Sequence, residues 1–338
     1  MSPPGGGRSF RPRAEMYPRS GPLLRSPATE DALPDVEVGI SLPTMADLEP
    51  NGFPGLAAGA RHVEEAGLDS VSASDFIMGN GTPALECTLA LSAAAAVTER
   101  VLLRFGVMTL PLRNIAWVAA QVGTLQYLSK NRVVLGVGSG GAPGTPFWDA
   151  VGASAEGRNG RLESALRLLP GLLSGEETRL EDEPGQTALS LAPAVPAPPV
   201  LVGGNTDNAI RRAAVHGDGW MPSMMAPHKL AEGTKKLREI AAEHGRPAPG
   251  TTVWLHAGLG DEESVRSARE NFERSLVEMY GVSPEDAPHV PIGGTPKEAA
   301  ERFAAYAEAG ADHIDLVVDG GDWQRQVELI AEARSLLG

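Results

Sequence analysis

The run Val200-Leu-Val-Gly-Gly-Asn-Thr-Asp-Asn-Ala-Ile-Arg-Arg-Ala-Ala-Val-His-Gly-Asp-Gly-Trp220 holds one complete structural unit. Apolar Val200 to Val202 read as a short buried strand, Gly203-Gly204 turns the chain, Asn205 or Thr206 is placed to cap a helix, and Gly219 to Met221 begins another strand. Two glycines let backbone approach a ligand closely. The free N–H groups at a helix start, on the positive end of its dipole, suit a phosphate. A tight strand-to-helix turn with no ligand has the same letters, and the segment alone leaves both readings open.

Outward from this unit the pattern repeats. Strand-like runs fall at Val36 to Ser41, Ser70 to Ala73, Val101 to Val107, Arg132 to Val137, Val200 to Gly203, Gly219 to Met221, Thr251 to His256 and His313 to Val318. Segments with helical spacing separate them, such as Leu56, Ala60 and Val63, or Ala116, Ala119, Ala120 and Leu125, or Trp323, Val327 and Ile330. Strands alternating with helices call for a parallel sheet, and eight such units predict an α/β fold of the (β/α)8 TIM barrel type. An open, doubly wound parallel sheet is the alternative, because counting does not show closure. Gly175 to Pro199, with five acids and then Pro193, Pro196, Pro198 and Pro199, breaks the pattern and reads as a short rim insertion; its place before the fifth strand puts its end at the bottom face. Residues 1–34 are rich in Pro and Arg, lack apolar periodicity and are expected to be a disordered extension. The barrel is thus expected over 35–338, with the insertion at about 175–199.

Composition narrows the function. The 338 residues are 42% hydrophobic, enough for a sizeable core, and the net charge of −14 argues against nucleic acid or an anionic membrane surface as partner. No apolar run approaches the roughly 18 residues of a membrane span. A lone cysteine, Cys87, excludes an internal disulfide and fits a cytoplasmic protein. The seven histidines show no H-x-x-x-H or H-x-H spacing, so no metal site is expected. Gly136-Val-Gly-Ser-Gly-Gly141 matches G-x-G-x-x-G, but Pro143 and Pro146 follow where the dinucleotide fingerprint needs a helix. These glycines are read instead as letting backbone approach a flat ligand at the end of the fourth strand. Ser139 lacks the G-x-S-x-G context of a hydrolase nucleophile. Asp75, after the second strand, is the acid best placed on the catalytic face, with capping of a loop or helix as its plain alternative.

Several of these segments resemble the bacterial luciferase-like family of flavin- and deazaflavin-dependent oxidoreductases. They are Val38-Gly-Ile-Ser-Leu-Pro43, Glu64-Glu-Ala-Gly-Leu-Asp-Ser-Val71, Leu110-Pro111 with Gln121-Val-Gly-Thr-Leu125, Asn131 to Gly138, Gly203 to Trp220, and Gly294-Thr-Pro-Lys-Glu-Ala-Ala-Glu-Arg302. The resemblance implies a (β/α)8 barrel, a cofactor across its C-terminal mouth with phosphate at Gly203, Gly204, Asn205 and Thr206, and a non-proline cis peptide at Gly106-Val107 behind the ring. Met108, Gly138 and Ser139 complete the implied cofactor contacts. FMN-dependent relatives often carry an arginine where this chain has Ser139, which tips the balance to coenzyme F420, with FMN and oxygen chemistry, served by a partner reductase, as the alternative. A homodimer packed through barrel helices is also implied.

The departures bear on chemistry. Relatives read Asp-His or Glu-His where this chain has Asp75-Phe76, a Trp where it has Ser72, and, in sugar dehydrogenases, an acid where it has Gly141. Both proton-handling groups of alcohol oxidation are therefore missing. The chain is expected to use reduced F420 to reduce an electron-poor C=C or C=N bond of a small-molecule or peptide substrate, with the proton from Asp75, Ser74 or water. Phe76, Trp148 and Met224 are expected to line the substrate pocket, alongside Met78, Met221 and Met225. The remaining reading is a catalytically silent flavin-binding barrel.

Overall fold

The computed structural model describes residues 36–141, 143–181, 185–260, 265–266, 269–270, 273 and 282–337. The expected disordered extension over 1–34, and Asp182 and Glu183 of the insertion, lie outside the described residues.

Strands β1 (Glu37–Ser41), β2 (Ser70–Ala73), β3 (Leu102–Phe105) with its short continuation β4 (Met108–Thr109), and β5 (Val133–Gly138) form the first half of the barrel. A two-stranded antiparallel pair follows, β6 (Thr178–Arg179) and β7 (Ala188–Leu189), inside the 175–199 segment. The second half is β8 (Val200–Gly203), β9 (Gly219–Met221), β10 (Gly250–Leu259) and β12 (His313–Val318), with β11 (Ile292–Gly294) added beside the end of β10. The staves pair in parallel in the order β1, β2, β3, β5, β8, β9, β10, β12 and back to β1. Pairing of Gly250 with Gly219 and Thr251 with Trp220 joins β10 to β9 and closes the barrel, which removes the open-sheet alternative. The insertion runs straight into β8, so it stands at the N-terminal ends of the staves, where Gln126 Nε2 donates to the Pro196 carbonyl.

Helices α1 (Leu56–Glu65), α2 (Cys87–Ala95), α3 (Ile115–Ser129), α4 (Pro146–Ala150), α5 (Arg158–Ser174), α6 (Asp207–His216), α7 (Pro227–Glu243), α8 (Pro296–Glu308) and α9 (Trp323–Ser335) surround the staves. Their starts are set by side chains that accept the first free N–H groups: Glu86 from Leu89, Asn114 from Ala116, Thr206 from Ala209, and Asp322 from Arg325. Thr295 and Glu298 form a reciprocal capping box at the start of α8.

Most of the core lies between staves and helices. The outward residues Val38, Ile40, Val71, Leu103, Phe105, Leu135, Val137, Val202, Val253, Leu255, Ile314 and Leu316 are fully buried against the helical ring. Each such side chain contributes about 1.5–3 kcal/mol by leaving water, which makes this shell the main stabilising layer. The barrel bore is smaller and divided. Val134, Leu201 and Met221, with Leu102, Val107 and Trp254, form a separate apolar cluster. Ser70, Ser72, Arg104, Thr252, His313 and Asp315, all buried, form a polar group.

Candidate functional site

The floor of the mouth is a bulge. β3 pairs with β5 at Leu103↔Val133 and Arg104↔Val134, and β4 resumes at Met108↔Val137, so Phe105, Gly106 and Val107 stand opposite only Leu135 and Gly136. The expected continuous strand from Val101 to Val107 is therefore broken after Phe105. The peptide between Gly106 and Val107 is cis, as the resemblance implied.

The bulge explains three glycines. A Cβ on Gly138 or Gly203 would come within 2.9 or 3.0 Å of a Val107 methyl, and one on Gly136 would lie 3.1 Å from Val107 and collide with the Phe105 carbonyl oxygen. Gly136 and Gly138 thus make room for Val107 and the strand-three backbone, and that packing replaces ligand approach as the reason for them. Gly140 is filled from below by Trp148, whereas nothing lies within 4 Å of a Cβ on the exposed Gly141.

Asp75 is engaged on both of its carboxylate oxygens. Its Oδ2 accepts from Thr109 N at 2.8 Å and from Arg113 Nη1 at 2.6 Å, and its Oδ1 accepts from Arg113 Nη2 at 2.8 Å. Burial alone would lower the Arg113 pKa, but the hydrogen bonds and charge of Asp75 outweigh it and hold the guanidinium above its ordinary value. Both oxygens of the carboxylate are thus gripped by a permanent cation, and its side chain is only 2% exposed. Asp75 is a clamp on β4, a correction to its expected catalytic role. Ser74 remains at the mouth, half-buried, where its Oγ donates to the Gly106 carbonyl at 3.3 Å.

The turn between β8 and α6 offers backbone. Gly204, in the left-handed region at φ 123°, Asn205, Thr206, Asp207 and Asn208 are all exposed. The side chains there are partly committed. Asn205 donates to the Ser223 carbonyl at 2.8 Å and accepts from Ser223 N at 3.0 Å, and Thr206 Oγ1 caps α6. Trp220 Nε1 donates to the Gly204 carbonyl at 2.8 Å and braces the turn. Asp207 adds a negative charge to the first turn of α6, and Lys236 neutralises it at 2.7 Å. An anion here would be held by main-chain N–H groups rather than by the Asn205 amide or the Thr206 hydroxyl.

Other expected site residues are buried elsewhere. Met108 and Met224 (2% exposed) are buried within the main apolar cluster, so neither offers an exposed side chain to a ligand. Trp148 is 3% exposed and packed under Gly140. Phe76 and Ser139 are half-buried.

The sequence reading missed a titratable pair. His256 Nδ1 lies 2.6 Å from Asp319 Oδ2, at the C-terminal ends of β10 and β12, and the imidazole meets the Trp254 ring edge-on at a centroid distance of 5.3 Å. His256 shares an inward face with Thr252 and Trp254, a period-two signal that was present in the letters. Its partner sits 63 residues away and carried no signal. A small cleft beside the pair is lined by Gly258, Arg269, Pro291 and Gly293. Among the described residues, no group of three His, Cys, Asp or Glu side chains could hold a metal, and no helix is long and apolar enough to cross a membrane.

Below the bulge lies the polar part of the bore. Ser70 Oγ is 2.8 Å from His313 Nε2, Ser72 Oγ donates to Asp315 Oδ1 at 3.0 Å, and Arg104 crosses the barrel to donate to Thr252 Oγ1 at 2.5 Å. Gly39 makes room for the Ser70–His313 contact. Burial pushes the Asp315 carboxyl up to about 6, against the opposing pull of Arg104 and Ser72, and holds the His313 imidazole well below its usual range.

Residues 36–289 match the family described as luciferase-like monooxygenase. The F420-dependent glucose-6-phosphate dehydrogenase of Beutenbergia cavernae is 29% identical over 284 residues, 74% of this chain and 83% of that one. With curated mycobacterial relatives that match at 34% identity, the shared stretch is 173 residues, 50% of this chain and 59% of theirs. Among solved structures, an F420-dependent secondary alcohol dehydrogenase with an F420-acetone adduct superposes with a TM-score of 0.72 at 19% identity, covering 88% of this chain and 98% of the other. The FMN-bound oxygenating constituent of a type II Baeyer–Villiger monooxygenase from Pseudomonas putida superposes with a TM-score of 0.68 at 18% identity, covering 88% and 97%.

Proposed function

The chain belongs to the luciferase-like monooxygenase family, and from that premise we propose that it is a coenzyme F420-dependent oxidoreductase that reduces an electron-poor C=C or C=N bond. The relative from Beutenbergia cavernae supports the choice of F420. The observation that carries the reductive direction is the Asp75–Arg113 clamp. With Asp75 committed, and with Phe76 and Gly141 where relatives place a histidine and an acid, the β2 and β5 ends of the mouth hold no base for withdrawing a hydroxyl proton, which leaves the His256–Asp319 pair at the ends of β10 and β12 to exchange a proton with the substrate.

The residues present fit such a cofactor. The exposed turn at Asn205, Thr206 and Asp207 supplies main-chain N–H groups for a phosphate, the Gly204 N–H being donated to the Met221 carbonyl, and Val107, raised by the bulge beside the Leu201, Met221 and Trp254 cluster, supplies an apolar support for a planar ring. When bound and reduced, F420 supplies a hydride equivalent to the electron-poor carbon of the substrate. The neighbouring atom then needs a proton, which is assigned to His256, half-buried and oriented by Asp319. His256→Gln is expected to slow turnover about 100-fold while leaving the dissociation constant for F420 within about twofold.

The deciding experiment is side-by-side titration of the purified protein with F420 and FMN by fluorescence quenching. Selective F420 binding, followed by anaerobic reduction of activated alkenes or imines, is the expected result. Selective FMN binding would favour the second reading, oxygen-dependent monooxygenation with a partner reductase, which the family's description supports. Binding of neither would leave a silent barrel.

The same reading includes a homodimer. Leu89 on α2 (72% exposed) and Trp117 on α3 (71% exposed), with Tyr127 and Leu128, place large apolar groups on adjacent helices that pack together. Trp117→Asp is expected to halve the mass measured by light scattering.

A further inference from the structure

Asp315 is a fully buried carboxylic acid in the wall of the barrel. It lies on the inner face of β12, paired in register with Gly39 of β1 and Trp254 of β10. Ser72 satisfies Oδ1, while Oδ2 has no hydrogen-bond partner. Oδ2, Met221 Cε and Ser72 Oγ surround the place a Cβ on Gly106 would occupy, at 3.5, 3.5 and 3.6 Å. The unpartnered oxygen therefore abuts the underside of the first bulge residue, with only a glycine hydrogen between them.

The charges around it are few. Arg104 on β3 faces the carboxyl, but its guanidinium is anchored on Thr252 of β10, its Nε has no partner, and no ion pair joins it to Asp315. Glu37 at the start of β1 acts on Arg104 rather than on Asp315, and His313, two residues back on the same strand, is held neutral by burial beside Ser70. Ser72, Trp254 and Met221 complete the surroundings without formal charge. A buried carboxylate with one hydrogen bond and a cation held at a distance projects its field upward, through the bulge, where low polarity screens it little.

We propose that Asp315 is a positioning residue that acts through the Gly106–Val107 bulge to weaken binding of the reduced cofactor relative to the oxidised one. This rests on the reading that the cofactor ring lies on Val107. The reduced ring is the more electron-rich form, so a negative charge beneath it disfavours that form and makes it the stronger reductant when bound. The effect switches with the ionisation of Asp315, which burial brings close to neutral pH.

The test compares wild type, Asp315→Asn and Ser72→Ala by dissociation constants for oxidised and anaerobically reduced F420 and FMN at pH 5 and pH 8. For wild type, the reduced-to-oxidised ratio of dissociation constants for the bound cofactor is expected to rise about tenfold between the two pH values. Asp315→Asn is expected to hold that ratio at its low-pH value throughout. Ser72→Ala, which keeps the carboxyl and removes its hydrogen bond, is expected to retain the step at a higher pH. A ratio that changes equally with pH in wild type and Asp315→Asn overturns the role of Asp315 and leaves the F420 reading intact. Absence of binding by either cofactor in wild type overturns that reading and this inference with it.

Discussion

The two sides of the barrel bore are built on different rules. On the side of β5, β8 and β9, Val134, Leu201 and Met221 pack with Val107 and Trp254 as an apolar plug under the mouth. On the side of β1, β2 and β12, Ser70, Ser72, His313 and Asp315 form pairs that Arg104 overlooks from β3. Apolar contacts are interchangeable within limits of volume, whereas buried polar pairs depend on every member and on charge. The first side is therefore expected to answer to volume, and the second to pH.

The contrast can be broken most severely where backbone fills the bore. Gly136→Ala drives a methyl group into the Phe105 carbonyl and toward Val107, and is expected to cost more than about 3 kcal/mol of unfolding free energy in urea or to abolish soluble expression. Arg104→Met comes next. It removes the cation whose charge favours the ionised Asp315, so relative to wild type it is expected to lose about 1 kcal/mol more stability at pH 8, where the carboxyl is ionised, than at pH 5, where it is neutral, read by urea unfolding.

Asp315→Asn tests the same charge with the opposite sign. The folded pKa, raised by burial to about 6 from an ordinary 3.8, means that the fold favours the neutral acid. That contribution is fully present below the unfolded value and is lost as pH rises through the folded one. Relative to wild type, the variant is therefore expected to gain on the order of 2 kcal/mol between pH 4 and pH 7, read as a rising difference in Tm. Met221→Leu on the apolar side is expected to cost less than about 1.5 kcal/mol, with no pH dependence.

Legibility in the sequence followed the same division. The eight units, the outward faces of Val38 and Ile40 or Ile314 and Leu316, and the Gly203-Gly204 turn were readable, because apolar periodicity and turn chemistry are local. The inner face of β2 was in view as Ser70, Ser72 and Ser74, but its partners were not. Asp315 lies 243 residues from Ser72, and Arg113 lies 38 residues from Asp75. From the letters Asp75 fits either an acid on the catalytic face or a cap, and Met108 and Met224 fit contacts at the mouth; the structure makes Asp75 a clamp and buries both methionines in the main apolar cluster.

By itself the sequence determined the alternation of strand and helix, the number of staves, the glycine turn at the start of α6 and the family likeness. Closure through Gly219 and Gly250, the bulge at Gly106 and Val107, the clamp on Asp75 and the pairing of His256 with Asp319 were decided only in three dimensions. The reason is physical. Burial of an apolar face is a property of one segment and its period, whereas the availability of an ionisable group depends on which charges and donors other staves bring against it.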